Sequence, residues 1–262
     1  MLQRATGIVA LMFMLGLASA SAQGTFGHLA YGGGWQTTFL VVNQDQTTEA
    51  HVSLSFYSDN GKPLTLAANG GSATSVYSFS VPANGSASVV IPDVEGSTPH
   101  QGWASLTVNN SPTVSGQAIF HQNPGGSRPA LEAAVPFNTG APACLVPFGI
   151  AASTHSILIP FDNKTSGHIT ALALANTTSA PMSVPIEFDD ATGAALAADT
   201  LSLGPMNHTA FASTANYPAT NGQSGVLRIT LPGGASLGDL SVLALLADSV
   251  SGTLTTLLPI NQ

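Results

Sequence analysis

The chain repeats itself, and that restricts its fold more than any single motif does. Asn43 and Asn176 each follow a glycine by nine residues (Gly34, Gly167) and a large apolar residue by four (Phe39, Leu172). Phe56-Tyr-Ser-Asp-Asn-Gly61-Lys-Pro-Leu64 aligns with Phe188-Asp-Asp-Ala-Thr-Gly193-Ala-Ala-Leu196, and Pro82-Ala-Asn-Gly-Ser-Ala87 with Pro205-Met-Asn-His-Thr-Ala210. Asn84 to Gly102 and Asn207 to Gly225 both span 18 residues; Gly102 to Pro136 and Gly225 to Pro259 both span 34. One interval differs, at 21 residues from Gly61 to Pro82 against 12 from Gly193 to Pro205, and its Ala67–Ala73 excess reads as a longer loop. Two tandem copies of one domain are expected.

Within each copy the apolar period is two. Val52, Leu54 and Phe56 alternate with polar neighbours, as do Val184, Ile186 and Phe188; Ala104, Leu106 and Val108; and Leu227, Ile229 and Leu231. One apolar and one polar face mark antiparallel strands. Asp59-Asn60-Gly61 and Thr192-Gly193 read as hairpin turns. Pro185, unable to donate a ladder hydrogen bond, predicts an edge strand. The expected fold class is all-β, with two tandem antiparallel β-sandwich domains of immunoglobulin-like type.

Residues 1–22 carry Arg4, an uncharged apolar run from Gly7 to Leu17 and Ala20-Ser-Ala22, the pattern of a cleaved secretory signal. The apolar run is shorter than the roughly 20 residues a bilayer requires, so no membrane insertion is expected. The predicted organisation is signal peptide 1–22, first sandwich 23–143 and second sandwich 144–262. The turn-rich Asn138-Thr-Gly-Ala-Pro142 at the boundary is short, which predicts that the two copies touch. Past residue 22, four cations (Lys62, Arg128, Lys164, Arg228) face 13 carboxylates, a net charge of −9. So few cations cannot neutralise a phosphate backbone, which argues against a nucleic-acid partner, and the same balance argues against docking on anionic lipid. Cys144 stands alone, so no intrachain disulfide is possible; burial must hold the fold.

Several stretches together resemble a known repeat. These are Gly32-Gly-Gly-Trp-Gln-Thr-Thr38, the apolar strand ending at Asn43, Ser55-Phe-Tyr-Ser-Asp-Asn-Gly61, Val81-Pro-Ala-Asn-Gly-Ser86, Gln101-Gly-Trp-Ala-Ser-Leu-Thr-Val108 and Leu131-Glu-Ala-Ala-Val-Pro-Phe137. From Phe26 to Phe137 the chain resembles a β-sandwich repeat of exported, largely uncharacterised soil-bacterial proteins. The second copy departs, with Gly167-His-Ile-Thr and Gly225-Val where the first has Gly-Trp-Gln-Thr and Gly-Trp. The resemblance implies an immunoglobulin-like fold and an exported location, and supplies no catalytic residues.

Candidate binding residues follow from parity. Trp35 shares the core-facing parity of Phe39 and Val41, which suggests a cap on the end of the core, with a sugar-stacking role as the rival. Trp103 has the outward parity of Ser105 and Thr107. If the strands either side of Asn109–Thr113 form a hairpin, Trp103 lies opposite Ile119, flanked by Gln101, Gln117 and His121. Such a face would grip an apolar or sugar surface unless the second domain covers it, and bare patches of that size are uncommon. Tyr31 joins Trp103 and Trp35 as a possible sugar contact. His100 and His121 could meet at one end of that hairpin, yet no third ligand is evident, so neither a metal nor a cofactor is expected. The acidic turns at Asp59 and Asp189-Asp190 are explained by turn geometry and lack calcium-loop spacing. No Gly-x-Ser-x-Gly, His-Glu-x-x-His or phosphate loop occurs. The expected function is therefore a non-catalytic exported module with a protein or polysaccharide partner at the cell surface, used in adhesion. A carbohydrate-binding module is the alternative and an exported hydrolase the remote one.

Overall fold

A computed structural model of the protein describes residues 23–94, 96–110, 112–123, 125, 130–139 and 155–262. The expected signal peptide, Cys144 and the boundary at 143/144 lie outside the described residues. In the first half the strands are β1 (Gln23–Tyr31), β2 (Trp35–Asn43), β3 (Ala50–Ser58), β4 (Val76–Val81), β5 (Ser86–Ile91), β6 (His100–Val108), β7 (Val114–Gln122) and β8 (Leu131–Asn138). In the second they are β9 (Ser156–Asp162), β10 (His168–Asn176), β11 (Met182–Asp190), β12 (Ala195–Leu203), β13 (His208–Ala212), β14 (Ser224–Thr230), β15 (Leu240–Asp248), β16 (Thr253–Leu257) and β17 (Ile260–Asn261). One four-residue helix, α1 (Ser213–Asn216), follows β13. No helix among the described residues is long and apolar enough to cross a membrane.

All the strand pairings are antiparallel, and the protein is all-β, consistent with sandwich packing. In the first half β4-β3-β6-β1 forms one layer and β8-β7-β2-β5 the other, joined where Phe26 and Thr25 of β1 pair with Phe137 and Asn138 of β8. The second half orders its strands as β12-β11-β14-β9-β17 and β13-β10-β15-β16. Pro136 lies in β8, and Leu258-Pro259 separates β16 from β17; at each place the chain passes from one layer to the other.

The alternating residues fill the cores. Val52, Leu54, Phe56, Ala104, Leu106 and Val108 meet Phe39, Val41 and Phe120 from the opposite layer, with Phe26 and Phe39 edge to face at 5.0 Å. Val184, Ile186, Phe188, Leu227 and Ile229 pack against Leu172 and Leu174 in the same way. The first core continues into the second half, because Ala173 and Leu243 belong to it. Sheet β13-β10-β15-β16 thus buries apolar side chains on both faces, which is why β10 reads as a nearly unbroken apolar run.

The glycine triplet is a hairpin turn. Gly32 and Trp35 exchange two backbone hydrogen bonds of 3.0 Å around Gly33 and Gly34, whose φ angles are +59° and +90°. Positive φ at both central positions is the type I′ geometry that matches strand twist, so the triplet joins β1 to β2. Trp35 packs against the core with its ring edge-on to Phe120, as the capping reading expects.

Asn43 and Asn176 are buried and do the same work. The Asn43 side-chain amide donates to the carbonyls of Thr48, Val81 and Pro82; that of Asn176 donates to Ala180, Leu203 and Gly204. Each pins the loop after its strand to the turn before β5 or β13. Replacing either by alanine strands one buried and two partly buried carbonyls, and we expect each variant to lose about 2–3 kcal/mol in denaturant unfolding.

Three expectations are corrected. Pro185 does not mark an edge: β11 lies between β12 and β14, and the ladder to β14 begins at Ile186, so Pro185 sits beyond its end and no hydrogen bond to β14 is lost there. The proline alignment is one residue out: Pro82 corresponds to Gly204, since these two carbonyls accept from the matching asparagines. Finally, β6 and β7 do not form a hairpin. β6 pairs with β1 and β3, and β7 pairs with β2 and β8, so the two strands lie in different layers.

Candidate functional site at the junction of the two halves

The placement of β6 and β7 in different layers separates the residues that parity had put together. Trp103 pairs with Tyr57, and Ile119 with Thr38 and Ala134, in the opposite layer. His121 sits beside Ile119 and meets Glu132 at 3.1 Å, whereas His100 stacks on Tyr31; the two histidines do not meet. Trp35 belongs with Ile119 and His121 on the β2–β7 layer. Tyr31 and Gln101 come together where the end of β1 meets the start of β6, Tyr31 facing His100 and Ala30 facing Gln101.

Trp103 is fully buried, not an exposed platform. Its ring stacks on Tyr57 at 4.5 Å and 18°, and its Nε1–H donates to the Met206 carbonyl at 2.8 Å. Met206 lies in the turn between β12 and β13, so the second half covers the outer face of β6. Trp103 faces away from the first core, as its parity predicts, and what covers that face comes from 103 residues further along the chain.

Opposite Trp103 the first strand bulges. Phe26 pairs with Ala104 and Leu29 with Gly102, so Gly27 and His28 share the space across from one residue. β9 has no such insertion, pairing Ile159, Pro160 and Phe161 with Leu227, Val226 and Gly225 without a break. A bulge re-aims a side chain. Gly27 permits close approach to β15, since a Cβ there would lie 2.8 Å from Ser241 Oγ. His28 turns toward the second half, its Nδ1 lying 2.9 Å from His208 Nε2 with the rings stacked at 4.9 Å. His208 Nδ1 is 2.8 Å from Asp59 Oδ1, and Asp59 Oδ2 accepts from Gln101 Nε2 at 3.0 Å. The His208 backbone N–H also donates to the Asp59 carbonyl.

This chain has a definite electrostatic sense. Burial, and then the neighbouring His208, lower the His28 imidazole to about 3, while Asp59 pulls weakly the other way. Burial raises the Asp59 carboxyl, but hydrogen bonds from His208 and Gln101 outweigh it and hold it below its ordinary value. Both nitrogens of His208 are engaged, and among the described residues no group of three or more His, Cys, Asp or Glu is arranged to hold a metal ion. Sequence reasoning missed His28 and His208. They are separated by 180 residues, and the bulge that joins them has no local signature.

Two of the concavities among the described residues lie beside the Trp103 and histidine contacts. A cleft of ≈ 350 Å³ between the halves is lined by Thr25, Tyr57, Ser105, Asn138, Thr177, Asp239 and neighbouring turns. Thr25 Oγ1 in its wall is buried without a hydrogen-bond partner among the described residues. Such a hydroxyl is a net cost, so Thr25→Val, which keeps the shape, is expected to raise stability by about 1 kcal/mol in thermal unfolding. The second is an open depression of ≈ 410 Å³ on the first half, lined by Tyr31, Ser58, Asp59, Asn60, Leu64, Pro99, His100 and Gln101.

Comparison with protein-family models, with curated proteins and with solved structures returns no match. The class is therefore defined by the fold and the junction alone: an all-β protein of antiparallel sheets, whose two halves are joined by a buried tryptophan and a hydrogen-bonded histidine pair.

Proposed function

We propose that the chain is an exported, non-catalytic protein of two tandem immunoglobulin-like sandwich domains, a binding module for adhesion or assembly at the cell surface or outside the cell. The observation that carries this reading is the junction. Three side chains suited to chemistry, His28, His208 and Trp103, hold the two halves together. None of them lines either concavity at the junction, while the depression beside them is open to solvent and lined by residues suited to holding a partner. Recurrence of one strand order supports the tandem assignment, and the pattern over residues 1–22 supports export. A protein or polysaccharide partner fits the low cation content better than nucleic acid or anionic lipid does.

The test is to incubate the protein from residue 23 onward with intact cells, insoluble matrix polymers and itself, and in parallel with a broad panel of hydrolase substrates. Retention on cells or polymer, or self-association, with no turnover above blank is the expected result. Sustained turnover, or the absence of every form of association, would overturn the reading. Carbohydrate binding is the second reading, favoured by the pairing of Tyr31 with polar side chains in the open depression.

A further inference from the structure

We infer that the depression at the ends of β1, β3 and β6 is a binding subsite for a neutral sugar residue of a glycan, an inference that rests on the binding-module reading above. Its aromatic wall is Tyr31, stacked on His100 at 5.2 Å and 25°. Its polar side is Asp59 with Asn60, Ser58 and Gln101, and Leu64 and Pro99 complete the lining. Sugar recognition uses this combination: the C–H face of the ring packs on an aromatic surface while hydroxyls reach fixed carboxylate and amide groups.

The acceptor is already oriented. Asp59 is half exposed, yet His208 holds one carboxylate oxygen and Gln101 the other, each with a further lone pair for a ligand hydroxyl. Two strands of the first half and a side chain of the second therefore fix one group, so the site depends on the junction. Charge decides the ligand class. The lining contains a carboxylate and no lysine or arginine, which disfavours uronic acids and other anionic sugars relative to neutral ones. The second half offers no counterpart. Pairing across the sheets places Asn163 where Tyr31 stands and Gln223 where His100 stands, so the aromatic wall belongs to the first half alone.

The experiment is a pull-down on insoluble neutral and uronate-rich polysaccharides, with titration of neutral mono- and oligosaccharides. It compares the wild type with Tyr31→Ala, Gln101→Ala and, as a control on the other layer, Ile119→Ala. Tyr31 also touches the core, so circular dichroism accompanies each variant; Gln101 is exposed and, among the described residues, its side chain bonds only Asp59, which keeps that variant informative if the first fails to fold. Retention on neutral polymer, at least tenfold weaker in Tyr31→Ala and Gln101→Ala and unchanged in Ile119→Ala, supports the subsite. Competition by monosaccharide would identify a single-residue site, and competition by oligosaccharide alone an extended one. Equal retention by Gln101→Ala and wild type overturns the subsite while leaving the module reading intact, as does retention on cells with no saccharide binding. Preference for uronate-rich polymer overturns the assigned ligand class.

Discussion

Trp103→Ala is expected to lower the stability of the protein by about 3–5 kcal/mol, the range for emptying a fully buried large aromatic site. The loss has three sources. The indole is completely covered, it stacks on Tyr57, and its N–H satisfies the Met206 carbonyl in the β12–β13 turn. Trp103→Phe should cost less, because it retains much of the packing and strands only the carbonyl. Denaturant unfolding followed by circular dichroism measures both. The same change on an exposed recognition surface would shift stability by no more than about 0.5 kcal/mol, so the two placements of Trp103 differ severalfold in the measured quantity.

Acid is expected to loosen the same junction. The folded state holds His28 near 3, whereas the unfolded chain restores the ordinary value of 6.5. Between those values the unfolded state binds a proton that the folded state excludes, so stability falls as the pH drops. From pH 7 to pH 4 the loss is about 2–4 kcal/mol. Asp59 adds nothing in that window. Its lowered carboxyl stabilises the fold above its ordinary value of 3.8, and that contribution disappears only as pH falls through its lower folded value. Unfolding midpoints at half-unit pH intervals give the slope, and His28→Leu should flatten it between pH 6.5 and 4. An unchanged slope in that variant would mean the acid sensitivity lies elsewhere.

Much of this fold is legible locally. Val52, Leu54 and Phe56 announce a half-buried strand because the pleat alternates faces, and Asp190 accepts from the Thr192 and Ala194 amides in the turn expected at Thr192-Gly193. The extra Gly/Ala/Ser segment is a loop, folded back so that Asn69 Oδ1 accepts from the Val90 amide. What was not legible is non-local. Parity places Trp103 outward but does not reveal what covers that face, because the cover arrives from a turn near residue 206. Consecutive strands are most simply joined as hairpins, yet two facing layers need crossings, and the placement of β6 and β7 in different layers separates Trp103 from Ile119. Pro185 illustrates the same limit: a proline disfavours only the ladder it faces, and where β14 stops is set by the whole sheet. Of the suggested binding residues, Tyr31 and Gln101 end in one depression, because the register of β1 on β6 puts their strand ends side by side. The His28–His208 contact needs both a bulge and the packing of two halves, and neither leaves a spacing in the sequence.

The most direct test of the junction is the fluorescence of Trp103 alone, in a Trp35→Phe protein, with acrylamide as quencher. The covered indole should emit at short wavelength and resist quenching until the protein unfolds. Long-wavelength emission, quenched as readily in the native protein as in the denatured one, would contradict the burial of Trp103 beneath the second half and with it the joined arrangement proposed for this molecule.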